Sequence, residues 1–199
     1  MLKINLSPIL ASLISGLALV ASLSTPLSAG DEEEGEWEQL RPVEDTRMWK
    51  ECRGGTLQKK ALCYQKKLEE VLQSQGTAPA LTTLEELAAQ DSDVLRDSHV
   101  YAHHLGRTSF SHYKNAATAF SHCRDVFWSG CYHGVLEGYL SSLSQVEPKD
   151  VATLCDNAID TRQSRFLKYQ CVHGLGHGLT MYLQHDIFKA LAFCDALPT

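Results

Sequence analysis

The chain is poor in everything that marks β-structure. No stretch sustains an apolar–polar alternation, and no Asn-Gly pair marks a tight hairpin. Hydrolase and nucleotide signatures are missing as well. There is no Gly-x-Ser-x-Gly elbow, no His-Glu-x-x-His and no phosphate-binding glycine loop. "GLGHG", Gly174–Gly178, is glycine-rich, but no strand precedes it and its histidine obstructs a phosphate. Cys-x-x-Cys is absent, and with it Cys-x-x-Cys-His, which leaves a thioredoxin-type redox site and a c-type haem attachment unsupported. Aromatic residues are only 8% of the chain, so the core must rest on Leu, Ala and Val. Positive charge is in deficit: the formal net charge is -6, which argues against nucleic acid or an anionic membrane as partner.

What is present reads as helix. Thr56 to Gln75 is amphipathic and runs into Gly76, a C-cap residue type. Thr82 with Glu85 forms a capping-box pair, and Asp91 to about Tyr113 reads as one long helix capped by Asp91, Ser92 or Asp93. Asn115 caps a short helix ending near Cys123. Further helices are expected around residues 130–143, 150–159, 164–184 and 186–197, with "SQVEPKD", Ser144–Asp150, as the clearest loop. The fold class expected is therefore all-α.

The N-terminus carries a different message. Lys3 is the only charged side chain before Asp31, an apolar run spans Ile9 to Leu23, and "TPLSAG" follows. These are the charged, hydrophobic and small-residue parts of a signal peptide over residues 1–29, cleaved after Ala29. An uncleaved anchor is the alternative for a run of this length, but Ser, Thr and Pro break up its C-terminal part. Cleavage moves the formal charge from -6 to -7. Residues 30–44, with the acidic block Asp31–Glu34, read as a disordered, solvated tail, and 45–199 as the helical domain. Export, to a periplasm or the medium, permits disulfides among the seven cysteines, all of which follow residue 29.

The cysteines keep a helical rhythm. "NAATAFSHC" ends at Cys123 and Cys131 opens the next helix; "DVATLC" ends at Cys155 and Cys171 lies early in the next. Cys123–Cys131 and Cys155–Cys171 would each staple a helical hairpin, and Cys52–Cys63 form a third pair unless one continuous helix holds them apart. The expected product is a small bundle or short α-solenoid of stapled hairpins. Cys194 is left over after "DIFKALAFC", and the rhythm places its partner beyond Thr199, as if the domain were truncated; a free or intermolecular thiol is the alternative. The residues "AFSHC…GCYHGVLEGYL" and "ATLC…QCVHGLGHGL" resemble bacterial cysteine-rich helical-repeat proteins of the Sel type, over about residues 115–199. The resemblance implies a solenoid that binds a protein partner rather than a catalyst.

All nine histidines fall between His99 and His185. Residues four apart share a helix face. His99 and His103 are such a pair, and so are His173 and His177. The frame Cys-x-His-Gly-x-x-x-Gly occurs twice, and it sets His133 and Glu137 in register with His173 and His177. Three helices would thus each present two ligand-type side chains. His99, His103, His133, Glu137, His173 and His177 are the candidate metal ligands, not all on one ion. Imidazole and carboxylate point to a divalent transition metal: Zn, Cu or Fe. A catalytic role would mean metal-activated water or oxygen chemistry. Gly134, Gly138, Gly174 and Gly178 form stripes that let helices approach closely, and Gly106 can do the same. Arg107 is expected to pair with Glu137, in competition with a metal. The rival reading has no metal: a non-enzymatic helical-repeat interaction module in which the His-Gly motifs are packing devices.

Overall fold

Helix α1 (Leu57–Gln75) begins where the Thr56 side chain accepts a hydrogen bond from the Lys59 amide. It ends at Gly76, whose φ of 94° lies where a β-carbon is strained. Tyr64, Leu68 and Leu72, four apart, form its buried stripe. The computed structural model describes residues 47–159 and 164–195. The expected signal peptide, the acidic tail and the last four residues of the chain lie outside the described residues.

Helix α2 (Thr77–Gln90) starts earlier than the sequence reading placed it. Pro79 sits in the first turn, where a missing amide costs nothing, so the helix begins at Thr77. Thr82 is consequently internal, bonding back to the Ala78 carbonyl, and does not cap. The expected long helix from Asp91 is two. Helix α3 (Ser92–Arg96) breaks at Asp97, which leaves helical geometry (φ -101°, ψ 12°) with its carboxylate on Arg96, and α4 (Ser98–Tyr113) resumes.

Asp91 ties this half together. Its carboxylate caps α3 through the Asp93 amide and accepts from Lys60, Tyr64 and Arg53. Burial pushes this carboxyl up, but Lys60, the Tyr64 hydroxyl and the Asp93 amide outweigh it and hold the acid below its usual range.

Helix α5 (Ala116–Ser121) is capped by Asn115, as its sequence indicates. Helices α6 (Gly130–Ser142), α7 (Pro148–Thr153), α8 (Arg165–Tyr182) and α9 (Ile187–Cys194) follow, with one π-turn over Leu154–Ala158 after α7. No strand occurs among the described residues, and no helix among them is long and apolar enough to cross a membrane. Three disulfides close as the cysteine rhythm anticipated: Cys52–Cys63, Cys123–Cys131 and Cys155–Cys171. Cys52 reaches Cys63 because Lys50–Cys52 is a separate 3-10 turn and α1 starts only at Leu57. Each bridge contributes about 2–4 kcal/mol and fits an oxidising compartment.

Helices α4, α6 and α8 lie side by side, with α6 in the middle. The residues of α6 from Gly130 to Glu137 are buried without a break, because it has a neighbour on both flanks. Glycine makes the approach possible. A methyl group at Gly134 would collide with the His103 carbonyl oxygen, and one at Gly106 with the Cys131 carbonyl oxygen. On the other flank, methyls at Gly174 and Gly178 would come within 2.7 Å of Leu136 and Leu140. Gly176 faces open space. Substituting Gly134→Ala should therefore destabilise by about 3 kcal/mol despite alanine's better helix propensity. Gly176→Ala should stabilise by about 0.5–1 kcal/mol. Non-reducing urea unfolding of the two variants checks both signs.

Candidate metal centre

The close packing of α4, α6 and α8 brings all six sequence-predicted residues into one constellation. His99 and His103 come from α4, His133 and Glu137 from α6, and His173 and His177 from α8. Their rings interlock: His103 lies 5.2 Å from His133 and 5.3 Å from His177 between ring centroids, and His133 stacks on His173 at 4.7 Å. Ring nitrogens and carboxylate oxygens form three overlapping sets with donor atoms within 4.8 Å of one another: His99, His103 and His133; His133, His173 and His177; His103, Glu137 and His177. Burial divides them. His103, His133 and Glu137 are buried, His99 and His177 are half-buried, and His173 is exposed.

Hydrogen-bond partners fix two of the tautomers. His99 Nδ1 lies 2.7 Å from the Phe127 carbonyl oxygen, which only accepts, so Nδ1 carries the proton. His103 Nδ1 lies 2.7 Å from Glu137 Oε1, and a carboxylate also only accepts. With both rings neutral, both Nε2 atoms then bear lone pairs, and they face each other at 3.0 Å. Two lone pairs at that separation repel unless a cation lies between them. Nitrogens bound to one zinc-like ion at about 2.0–2.1 Å, roughly 90–110° apart, are separated by about 2.8–3.4 Å. The second pair, on α8, has similar spacing, with His173 Nε2 3.1 Å from His177 Nε2.

Glu137 is more committed than its sequence position indicated. Oε1 takes the His103 N–H and Oε2 takes Arg107 Nη1 at 2.5 Å. Burial drives this carboxyl up, but His103 and Arg107 together hold it below the usual carboxylate range. A carboxylate that receives the far N–H of a ligating imidazole orients that ring and raises its basicity. The anticipated Arg107–Glu137 pair is thus present, and it gives Glu137 a supporting place behind His103 that competes with direct ligation.

His133 is the third element. Its Nε2 donates to Gln170 Oε1 at 3.2 Å, while Nδ1 is buried without a hydrogen-bond partner. Burial, with help from the neighbouring imidazoles, pulls its pKa down to about 4. His177 is also lowered, chiefly by burial and then by His103 and His173. Neutral imidazole with an unpaired nitrogen is the form that binds a metal.

The support around His99 is strained. Phe127, Trp128 and Ser129 all have positive φ, at 50°, 50° and 62°. Left-handed geometry costs about 1–2 kcal/mol per residue away from glycine. The turn is closed by the Cys123–Cys131 bridge and by Ser129 Oγ donating to Asp125 at 2.7 Å, and it aims the Phe127 carbonyl at His99. Sequence reasoning missed this turn, since no Gly or Asn marks it, and also Gln170. Tyr169, whose hydroxyl lies 3.3 Å from His173 Nδ1, was findable from its spacing of four residues. The other histidines stay outside: His104 pairs with Glu69, His112 bonds Gln73, and His122 stacks on Tyr113. An open cavity of about 520 Å³ adjoins the exposed side, lined by Glu137, His173, His177, Thr180, Met181 and His185.

No family model, curated protein or solved structure matches this chain.

The lowered acidity range of Glu137 has a definite sign. Its folded pKa lies below the unfolded value, so its contribution to stability is complete above the ordinary carboxylate range. That contribution is lost as pH falls through the folded value. Glu137→Gln should cost roughly 2–3 kcal/mol at neutral pH and flatten the acid limb of stability against pH. Urea midpoints from pH 3 to 7 for wild type and variant measure both effects.

Proposed function

We propose that this is an exported helical protein that binds a divalent transition metal through its interlocked histidines. The observation that carries the reading is the opposed pair of His99 and His103 Nε2 atoms, each left bare in the neutral ring by a committed Nδ1–H. His133, neutral and with one buried nitrogen unpaired, completes a three-imidazole set. Three imidazoles suit Zn, Cu or Fe, and the disulfides remove six thiols from competition. The carboxylate behind His103 and the carbonyl behind His99 are the supports that metal-bound histidines use. Export is supported by the N-terminal pattern of residues 1–29 and by the disulfides.

A proton shared between His99 and His103 would satisfy the same pair, and metal titration separates the two. Protein purified without a histidine tag should retain one of Zn(II), Cu(II) or Fe(II) after dialysis. His103→Ala should abolish retention, and Glu137→Gln should weaken it by about 10–100-fold. Calorimetry with each metal is the measurement, and no heat of binding from any of the three would sink the reading.

A specific surface favours a second reading, the helical-repeat interaction module. On α9, Ile187, Phe188 and Leu191 are 52%, 85% and 53% exposed. In this reading the cluster is the face on which a protein partner docks. The resemblance to Sel-type repeats points the same way. A partner that co-purifies from the exported fraction should be lost with Phe188→Glu, while metal content stays at the wild-type level.

A further inference from the structure

The three donor sets cannot serve one ion together. Ligand atoms about 2.0–2.1 Å from a single ion are never more than about 4.2 Å apart. No set joins His99 to His173 or His177. The constellation therefore contains an inner position, His99–His103–His133, and an outer position, His133–His173–His177; the third set, His103–Glu137–His177, lies between them, and its carboxylate is already held by His103 and Arg107. The inner one is supported on every side: Phe127 behind His99, Glu137 and Arg107 behind His103, Gln170 behind His133. The outer one borders the open cavity lined by His173, Gly176, His177 and Met181.

His133 belongs to both positions, yet it has one nitrogen to offer. Nε2–H is held by Gln170, which leaves Nδ1 as the single unpaired donor atom. A lone pair completes one coordination sphere at a time. From this, which rests on the metal-binding reading above, we infer that the two positions are alternative stations for a single divalent ion. The ion is captured at His173 and His177 on the surface and handed through His133 to the buried pair His99 and His103. The transfer exchanges the two α8 imidazoles for two supported ones, while His133 remains a ligand throughout, so the ion is never stripped of protein donors. Closed, fully supported sets hold metals tightly, and open ones exchange them. The α8 pair thus governs the rate of loading and the α4 pair the strength of retention.

Zn(II) alone is the probe, with the full-length mature protein and stopped-flow competition against a chromophoric chelator. Wild type should saturate with one Zn(II) per chain. The double variant His173→Ala/His177→Ala should load at least about tenfold more slowly while its equilibrium affinity stays within about threefold of wild type. Neither residue belongs to the buried core, so the variant should fold, and circular dichroism checks it; His177→Gln repeats the rate measurement with a milder change. His99→Ala should still capture Zn(II) but lose it to EDTA at least about tenfold faster than wild type. Two ions per chain at saturation, wild-type loading by the double variant, or loss of all its affinity would each overturn the transfer. Absence of Zn(II) binding by folded wild type would instead remove the metal-binding reading on which it rests.

Discussion

Everything in the centre depends on two backbones lying nearly in contact. Gly106 of α4 faces the Cys131 carbonyl of α6, and Gly134 of α6 faces the His103 carbonyl of α4. At this separation side chains on adjacent faces have no room to splay apart. His103 and Glu137 meet as a direct hydrogen bond, and His133 falls among the imidazoles of both neighbouring helices. Glycine inside a helix costs about 1 kcal/mol relative to alanine. The sheltered polar network and the apolar contacts of Leu136 and Leu140 against α8 offset that cost.

Electrostatics then assigns different work to chemically similar residues. Arg107 and His103 keep Glu137 ionised in a buried place. That fixed negative charge holds a proton on His103 Nδ1 and turns Nε2 toward His99. A backbone carbonyl does the same for His99. His133 is held neutral by burial rather than by a partner acid. The pair on α8 has no such support apart from the long contact with Tyr169. Six similar side chains thus divide into a supported inner group and an open outer group.

Much of this was legible in the sequence because it is local and periodic. The i,i+4 pairs, the duplicated Cys-x-His-Gly-x-x-x-Gly frame and the disulfide partners follow from helix geometry and short loops. Asn115, Ser164 and Asp186 cap the helices they precede. The misplacements have equally local causes. Pro79 moved the start of α2 upstream of Thr82, and the Asp97 carboxylate turned to Arg96 and broke a helix that periodicity alone would continue.

The sequence by itself determined an all-α chain, the pairs of ligand-type residues on each helix and the smooth faces that let helices meet. Helical periodicity encodes which residues share a face, and that is a property of one segment at a time. Only the tertiary structure decided which atoms are free. The Phe127 carbonyl comes from a left-handed turn without glycine, Gln170 approaches His133 from another helix, and Glu137 reaches across to His103. Proton placement on an imidazole depends on what stands opposite each nitrogen, and those partners are 28 to 37 residues away in the chain. No local pattern carries that information, so a row of histidines becomes a graded pair of binding positions only when three helices close on one another.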